Sequence, residues 1–289
     1  MRPFSYERPT SLGDAFGLLD AHGTAASPLA GGTDLIIRLR DGTVRAEVVV
    51  DLKAIDERDE GIHLQDGRLV IGGWTVMTDI AADPRIRRDF TALAEAAAVV
   101  GSAQIRNRAT LAGNICNASP AADTAPALLV YGAEVIATGS GGTRRIAIDD
   151  FFIGPGRTAL APGELVTAIE LPLPRGRQGA VHLRRTRRRG HDLASVTLAC
   201  AVLDDGRARL AYGSVGPRPL LVTDDSGVLV DGSASSEARD LVLDHLLAGA
   251  SPSLRSMRAS PAYRLAMLRV LALRAVEIAA GRAVGGAIA

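Results

Sequence analysis

From residue 60 the chain breaks into short apolar runs separated by turn residues, which excludes a sheet built from long parallel strands. Ile62-His63-Leu64, Leu69-Val70-Ile71 and Val76-Met77-Thr78 are read as strands, with turns at Asp66-Gly67 and Gly72-Gly73. Asp66-Gly67 between alternating runs is a hairpin signal, because both turn positions need positive φ. Helical patterns stand apart from these runs, as at Phe90 to Val99. Hairpins mixed with separate helices predict an α+β fold and not a doubly wound parallel one.

The same reading organises the rest of the chain. Ser11 is the N-cap of a short helix carrying Leu12, Ala15, Phe16 and Leu19, and Gly23 ends it. Pro28-Leu29-Ala30 is a strand, Leu35 to Arg40 a helix, and Glu47 to Leu52 a buried strand. Strands resume at Leu128-Leu129-Val130, Glu134 to Ala137, Arg145 to Ile148 and Leu165 to Leu171. Pro172 to Gly179 reads as the linker. It divides the chain into residues 1–175, with lobes about 1–56 and 57–175, and a smaller α+β part over 176–289. There Ser195 to Leu203 and Ala208 to Ser214 pair as strands. Leu265, Leu268, Leu271, Ala272 and Val276 form a helix face, with Arg264, Arg269 and Arg274 elsewhere on the wheel.

Composition removes several kinds of chemistry. Of 33 basic residues only Lys53 is a lysine, so a GxxxxGK[ST] phosphate loop is absent. The two cysteines, Cys116 and Cys200, cannot ligate an iron–sulfur cluster, which takes four ligands, and are read as buried thiols. Five histidines without HxH or HExxH spacing give no zinc site, so no metal ligand is assigned. A net charge of +1 and 3% aromatics supply no broad footprint for nucleic acid, despite the run Arg184-Arg185-Thr186-Arg187-Arg188-Arg189. No apolar signal region and no 18-residue apolar span are present, so a cytoplasmic protein without a membrane span is expected.

Two loops carry the candidate site. In Ala30-Gly31-Gly32-Thr33-Asp34-Leu35, adjacent glycines follow a strand and precede a helix. That arrangement lets backbone approach a phosphate and points N–H groups at it, with Asp34 otherwise a helix cap. The second loop, Ile105 to Asp123, is dense in hydrogen-bonding side chains: Asn107, Thr110, Asn114, Asn117, Ser119 and Asp123, with Gly113 again open to close approach. Together they could wrap a pyrophosphate-bearing ligand.

Ala30 to Asp34, Thr110-Leu111-Ala112-Gly113-Asn114 and Ser119-Pro120-Ala121-Ala122-Asp123 resemble the FAD-binding medium subunits of molybdenum hydroxylases, the carbon monoxide, xanthine and aldehyde dehydrogenase type. So do Thr158-Ala159-Leu160, Pro162-Gly163-Glu164, Arg188 to Ala194 and Ser260 to Arg264, in order, from residue 3 to about 275. The resemblance implies a vanillyl-alcohol-oxidase-like (PCMH-type) FAD domain in two lobes and a C-terminal domain. It implies noncovalent FAD with its pyrophosphate on Ala30, Gly31, Gly32, Thr33, Asp34 and Leu35 and on Thr110, Gly113 and Asn114. Asp123 would bond the ribose or adenine portion, Leu165 would pack by the adenine, and Arg184 to Asp192 would lie near the isoalloxazine. Ala112 stands where the family often has glycine, and Arg184 where some relatives have lysine.

It further implies an electron-transfer subunit with no catalytic residue of its own, carrying FAD between [2Fe-2S] clusters and a final acceptor. The clusters would belong to a small iron–sulfur subunit and the molybdopterin to a large subunit, in a heterotrimer doubled to a hexamer. The competing readings are a free-standing flavin oxidoreductase of the same fold and a nucleic-acid module built on the arginine run.

Overall fold

The computed structural model describes residues 2–188, 190, 192–256 and 258–285. It opens with β1 (Ser5–Glu7), α1 (Leu12–His22), β2 (Ala26–Leu29), α2 (Leu35–Arg40) and β3 (Val48–Asp51). The strands are parallel in the order β1-β3-β2, so the fully buried Val48-Val49-Val50 run is the central one. The cap expected for α1 forms: Ser11 Oγ accepts from the Asp14 N–H at 3.0 Å. Its apolar stripe, Ala15, Phe16 and Leu19, packs on Val48, Val50 and Trp74.

Next come β4 (Ile62–Gln65), β5 (Arg68–Gly72), α3 (Met77–Ala82), α4 (Pro84–Asp89), α5 (Thr91–Ala98), α6 (Ala103–Arg106), α7 (Leu111–Cys116) and α8 (Thr124–Val130). They are followed by β6 (Glu134–Gly139), β7 (Gly142–Ala147), α9 (Ile148–Phe151), β8 (Phe152–Gly154), β9 (Arg157–Thr158) and β10 (Leu165–Pro172). β4 and β5 form the hairpin, with Asp66 at φ 49° and Gly67 at φ 72° in the turn. The antiparallel sheet runs β4-β5-β10-β6-β7. Its inner residues Leu69, Ile71, Val135, Ile169 and Leu171 bury against α3, α5, α7 and α8. The other face carries a cross-strand ion ladder, with Arg68 and Arg145 both on Glu134 and Glu170.

The chain ends in β11 (Gln178–Arg185), β12 (Val196–Leu203), β13 (Ala208–Gly213), β14 (Leu220–Asp224), α10 (Ser236–Leu247) and α11 (Pro261–Gly285). The four strands form an antiparallel meander with large residues on one face and small ones on the other. Leu198, Cys200, Leu210 and Tyr212 pack on α11, whereas Ala199, Ala201 and Ala211 join the core around α8. A Cβ on Gly179 would stand 2.0 Å from the Ala279 carbonyl oxygen, so α11 lies directly on β11 there.

Two local expectations are corrected. Residues 76–78 are not a strand: Val76 makes one isolated bridge to Thr110, and α3 starts at Met77. Residues 128–130 close the helix α8, every residue of which is buried. Short apolar runs buried on all sides carry no period that separates strand from helix. The strand β14 was not anticipated. Arg264, off the apolar stripe of α11, is buried all the same, donating to the Ser214 carbonyl at 2.7 Å and to Ser256 Oγ.

Candidate cofactor site

The first loop connects β2 to α2. Gly32 has φ +77°, a conformation in which a side chain is strained, and a Cβ there would lie 2.9 Å from Leu29 Cδ1. Gly31 has a different reason to be glycine. A Cβ on it would stand 2.0 Å from the Arg108 carbonyl oxygen and 3.1 Å from the Ala109 Cα, so the two loops meet backbone to backbone. Asp34 does not cap α2, since its side chain makes no cap bond there. It instead accepts from Asn117 Nδ2 at 3.3 Å, while Arg38 donates to Asn117 Oδ1 at 3.2 Å. Both bonds tie the first loop to the second. The backbone N–H groups of Gly31, Gly32, Thr33 and Asp34 have no protein acceptor among the described residues. Successive unpaired N–H groups at a turn form an anion-binding concavity.

The second loop is already largely satisfied. Thr110, 5% exposed, caps α7 by accepting from the Gly113 N–H at 3.0 Å. The Leu111 N–H goes to the Thr75 carbonyl, and the Asn114 N–H to the Thr110 carbonyl. Backbone donors expected here are therefore mostly committed, and the Thr110 O–H remains as a donor because its oxygen only accepts in the cap. Gly113 is exposed and meets nothing within 4 Å but Thr110, which leaves its face open. Asn114 is turned inward, its Oδ1 accepting from Thr124 Oγ1.

Asp123 lies at the far end of this loop, just before α8, and is buried. Arg184 on β11 donates to its Oδ2 at 2.8 Å. His182, two residues earlier on the same face of β11, places Nε2 3.3 Å from Oδ1 and 2.8 Å from Thr197 Oγ1. Burial opposes ionisation of Asp123, yet His182 and Arg184 outweigh it and hold the carboxyl below the usual range. Asp123 Oδ1 has no hydrogen-bond partner of its own. Asp123 and Arg184, expected at separate portions of one cofactor, pair with each other.

Leu165 is buried among Phe16, Leu19, Leu52 and Trp74. The arginine run is not one cationic surface: Arg184 turns inward to Asp123, Arg185 faces Tyr263 Oη at 3.4 Å, and the N–H groups of Arg187 and Arg188 are held by Asp192. Arg189 and His191 lie outside the described residues. Burial pushes the thiols of Cys116 and Cys200 up to about 12, which makes them unreactive. Among the described residues no group of three or more His, Cys, Asp or Glu is placed to hold a metal. Sequence reasoning missed His182, which has no motif around it, and Asn117 as the bridge between loops.

Comparison with known proteins gives the family and the fold. Residues 2–174 match the family described as FAD binding domain in molybdopterin dehydrogenase, and residues 182–279 match the CO dehydrogenase flavoprotein C-terminal domain. The chain is 33% identical over 289 residues to the putative xanthine dehydrogenase FAD-binding subunit XdhB of Escherichia coli K12, covering 97% of each. It is 31% identical to the carbon monoxide dehydrogenase medium chain of Afipia carboxidovorans, covering 97% of this chain and 98% of that one. Among solved structures, a chain of the Cu,Mo-CO dehydrogenase in its cyanide-inactivated form superposes with a TM-score of 0.89 at 31% identity, over 98% of this chain and 100% of that one. A chain of quinoline 2-oxidoreductase from Pseudomonas putida 86 gives 0.86 at 27% identity, over 98% of both chains.

Proposed function

The chain belongs to the FAD-binding medium subunits of the molybdopterin hydroxylases, and from that membership we propose that it collects electrons from [2Fe-2S] clusters on a small partner chain and passes them to a final acceptor through noncovalently held FAD. The partners are that small iron–sulfur chain and a large molybdopterin-binding chain. Two cysteines in the whole sequence are too few to ligate such clusters, which supports this division. Among the described residues no helix is long and apolar enough to cross a membrane.

The observation that carries the cofactor assignment is the run of unpaired N–H groups from Gly31 to Asp34, packed against the Thr110 loop by the Gly31 contact. The buried, unpartnered Asp123 Oδ1 adds an acceptor for a sugar hydroxyl. These groups fit a nucleotide diphosphate: donors for phosphate oxygens on one side, an acceptor for hydroxyl on the other. FAD, when bound, accepts and releases a pair of electrons. The chain's residues bind and orient. Gly31 to Asp34 supply backbone donors, Thr110 a hydroxyl donor, and Asp123 with Arg184 fixes β11 against the cofactor loops. Residues 1–175 then form the cofactor domain, and 176–289 cover it.

The test is titration of the full chain with FAD. We expect about one FAD per chain, released intact by acid. A colourless chain that takes up no FAD from excess overturns the assignment.

Thr110→Ala should weaken FAD by about 1.5–3 kcal/mol, the loss of one hydrogen bond to a charged group, and should also cost about 1 kcal/mol of α7 cap. Thr110→Ser, which keeps the hydroxyl, should recover both in the same titration and in a melting curve.

A further inference from the structure

The glycine loop is fastened to the second loop at two points, one before α7 and one after it. Before α7, Gly31 lies against the Arg108 carbonyl and Ala109. After α7, Asn117 bonds both Asp34 and Arg38. The six residues of α7 hold these points about 9 Å apart. Gly32 and Thr33 lie between them, and the unpaired N–H groups of Gly31 to Asp34 are spread over that span. None of these four residues is buried, so the span is open to a ligand from solvent.

The Asn117 end is held firmly. Ala118, next in the chain, adopts φ 43°, a left-handed conformation that a side chain disfavours. Its own burial and the Gly156 N–H, which donates to its carbonyl at 3.1 Å, keep it there. A strained residue persists only where its surroundings over-determine it. The turn that ends α7 is thereby fixed, with the half-buried Asn117 aimed at the first loop.

An amide serves both of its partners at once. Its NH2 donates to the Asp34 carboxylate and its oxygen accepts from the Arg38 guanidinium. Asp34 and Arg38 stand one helical turn apart, the spacing at which they would otherwise pair with each other. The amide between them ties that turn to the end of α7. Without it the first loop keeps only the Gly31 contact, about which the donors can swing.

We infer that Asn117 is a positioning residue for the cofactor diphosphate: it anchors the α2 end of the glycine loop, so that the N–H groups of Gly31 to Asp34 and the Thr110 hydroxyl face one ligand. The inference rests on the FAD assignment above. The Asn117 amide is spent on Asp34 and Arg38, so it acts through the loop and not on the ligand.

The experiment is an FAD titration of the full-length chain, followed by flavin fluorescence, with melting curves taken without FAD. Asn117→Leu removes both bonds and should weaken FAD about tenfold, in keeping with two exposed hydrogen bonds to charged groups. Asn117→Asp keeps the acceptor for Arg38 but sets a second carboxylate against Asp34, and should weaken FAD at least as much. The deciding chain combines Asp34→Asn with Asn117→Asp. The amide then stands on the first loop and the carboxylate at the end of α7, so both bonds re-form at the parent's net charge. FAD should return to within about threefold of the parent. Asn and Asp share one shape, so neither of these chains alters packing, and they guard against misfolding of Asn117→Leu. Melting temperatures without FAD should stay within about 3 °C of the parent, as for other surface changes. Asn117→Leu and Asn117→Asp chains that bind FAD like the parent overturn the inference alone. So does an exchange that binds no better than Asn117→Asp, or a melting temperature that falls in step with affinity across the series. A parent chain that binds no FAD overturns the assignment beneath it.

Discussion

Gly31→Ala should abolish FAD retention, with affinity falling by about 100-fold or more. The added Cβ lands 2.0 Å from the Arg108 carbonyl oxygen and 3.1 Å from the Ala109 Cα. Both are backbone atoms, so no side-chain rotation relieves the overlap. Overpacking of this kind costs about 1–3 kcal/mol, and here it is relieved only by parting the two loops. Parting them separates the Gly31–Asp34 donors from Thr110 and breaks the Asp34–Asn117–Arg38 bridge. Gly32→Ala acts differently, through strain at φ +77° of about 1–2 kcal/mol, with the loops still in contact. FAD titration with a melting curve separates the two. A Gly31→Ala chain that binds FAD within a few-fold of the parent would show that the loop contact is dispensable.

What the sequence disclosed followed the range of the interaction that fixes each feature. The Ser11 cap, the Asp66-Gly67 hairpin and the alternation in β10 are decided within a few residues, and each forms as read. Residues 76–78 and 128–130 are decided by burial on all sides, which erases periodicity, and both were misread as strands. The glycine loops were legible as loops, but the purpose of Gly31 was not, because its partner is Arg108.

The polar site shows the same division. Asp123 and Arg184 each carry a family motif, yet no local signal says that residues this far apart share an ion pair. The register of β11 on β12 sets His182 opposite Ala199 and Arg184 opposite Thr197, and Asp123 meets them from the segment before α8. Leu165 shows packing of the same long range: its side chain is buried with α1 and Trp74, which no local signal announces.

Asp123→Ala should be the most damaging change in the second loop, for stability as well as for FAD. It leaves the Arg184 guanidinium and the His182 ring without their shared carboxylate where the C-terminal sheet meets the cofactor loops. Removing one partner of a buried ion pair costs about 3–5 kcal/mol, and the lower end applies because Arg184 keeps some contact with water. A loss near 3 kcal/mol should lower the melting temperature by roughly 5–10 °C. Asp123→Asn keeps an acceptor of the same shape and should fall between the variant and the parent. Acid should reproduce the effect in the unmodified chain, and the sign follows from the direction of the shift. The Asp123 carboxyl titrates below its ordinary value in the folded chain, so its contribution is complete above the unfolded value near ~3.9 and drains away as pH falls through the lower folded one. Between pH 5 and 8 this pair should give a flat stability profile. Below about pH 4 the parent should lose stability faster than Asp123→Ala does, and the two curves should converge. A constant gap between them down to pH 2 would mean that the carboxyl titrates alike in the folded and the unfolded chain, and the stabilising ion pair would fall with it.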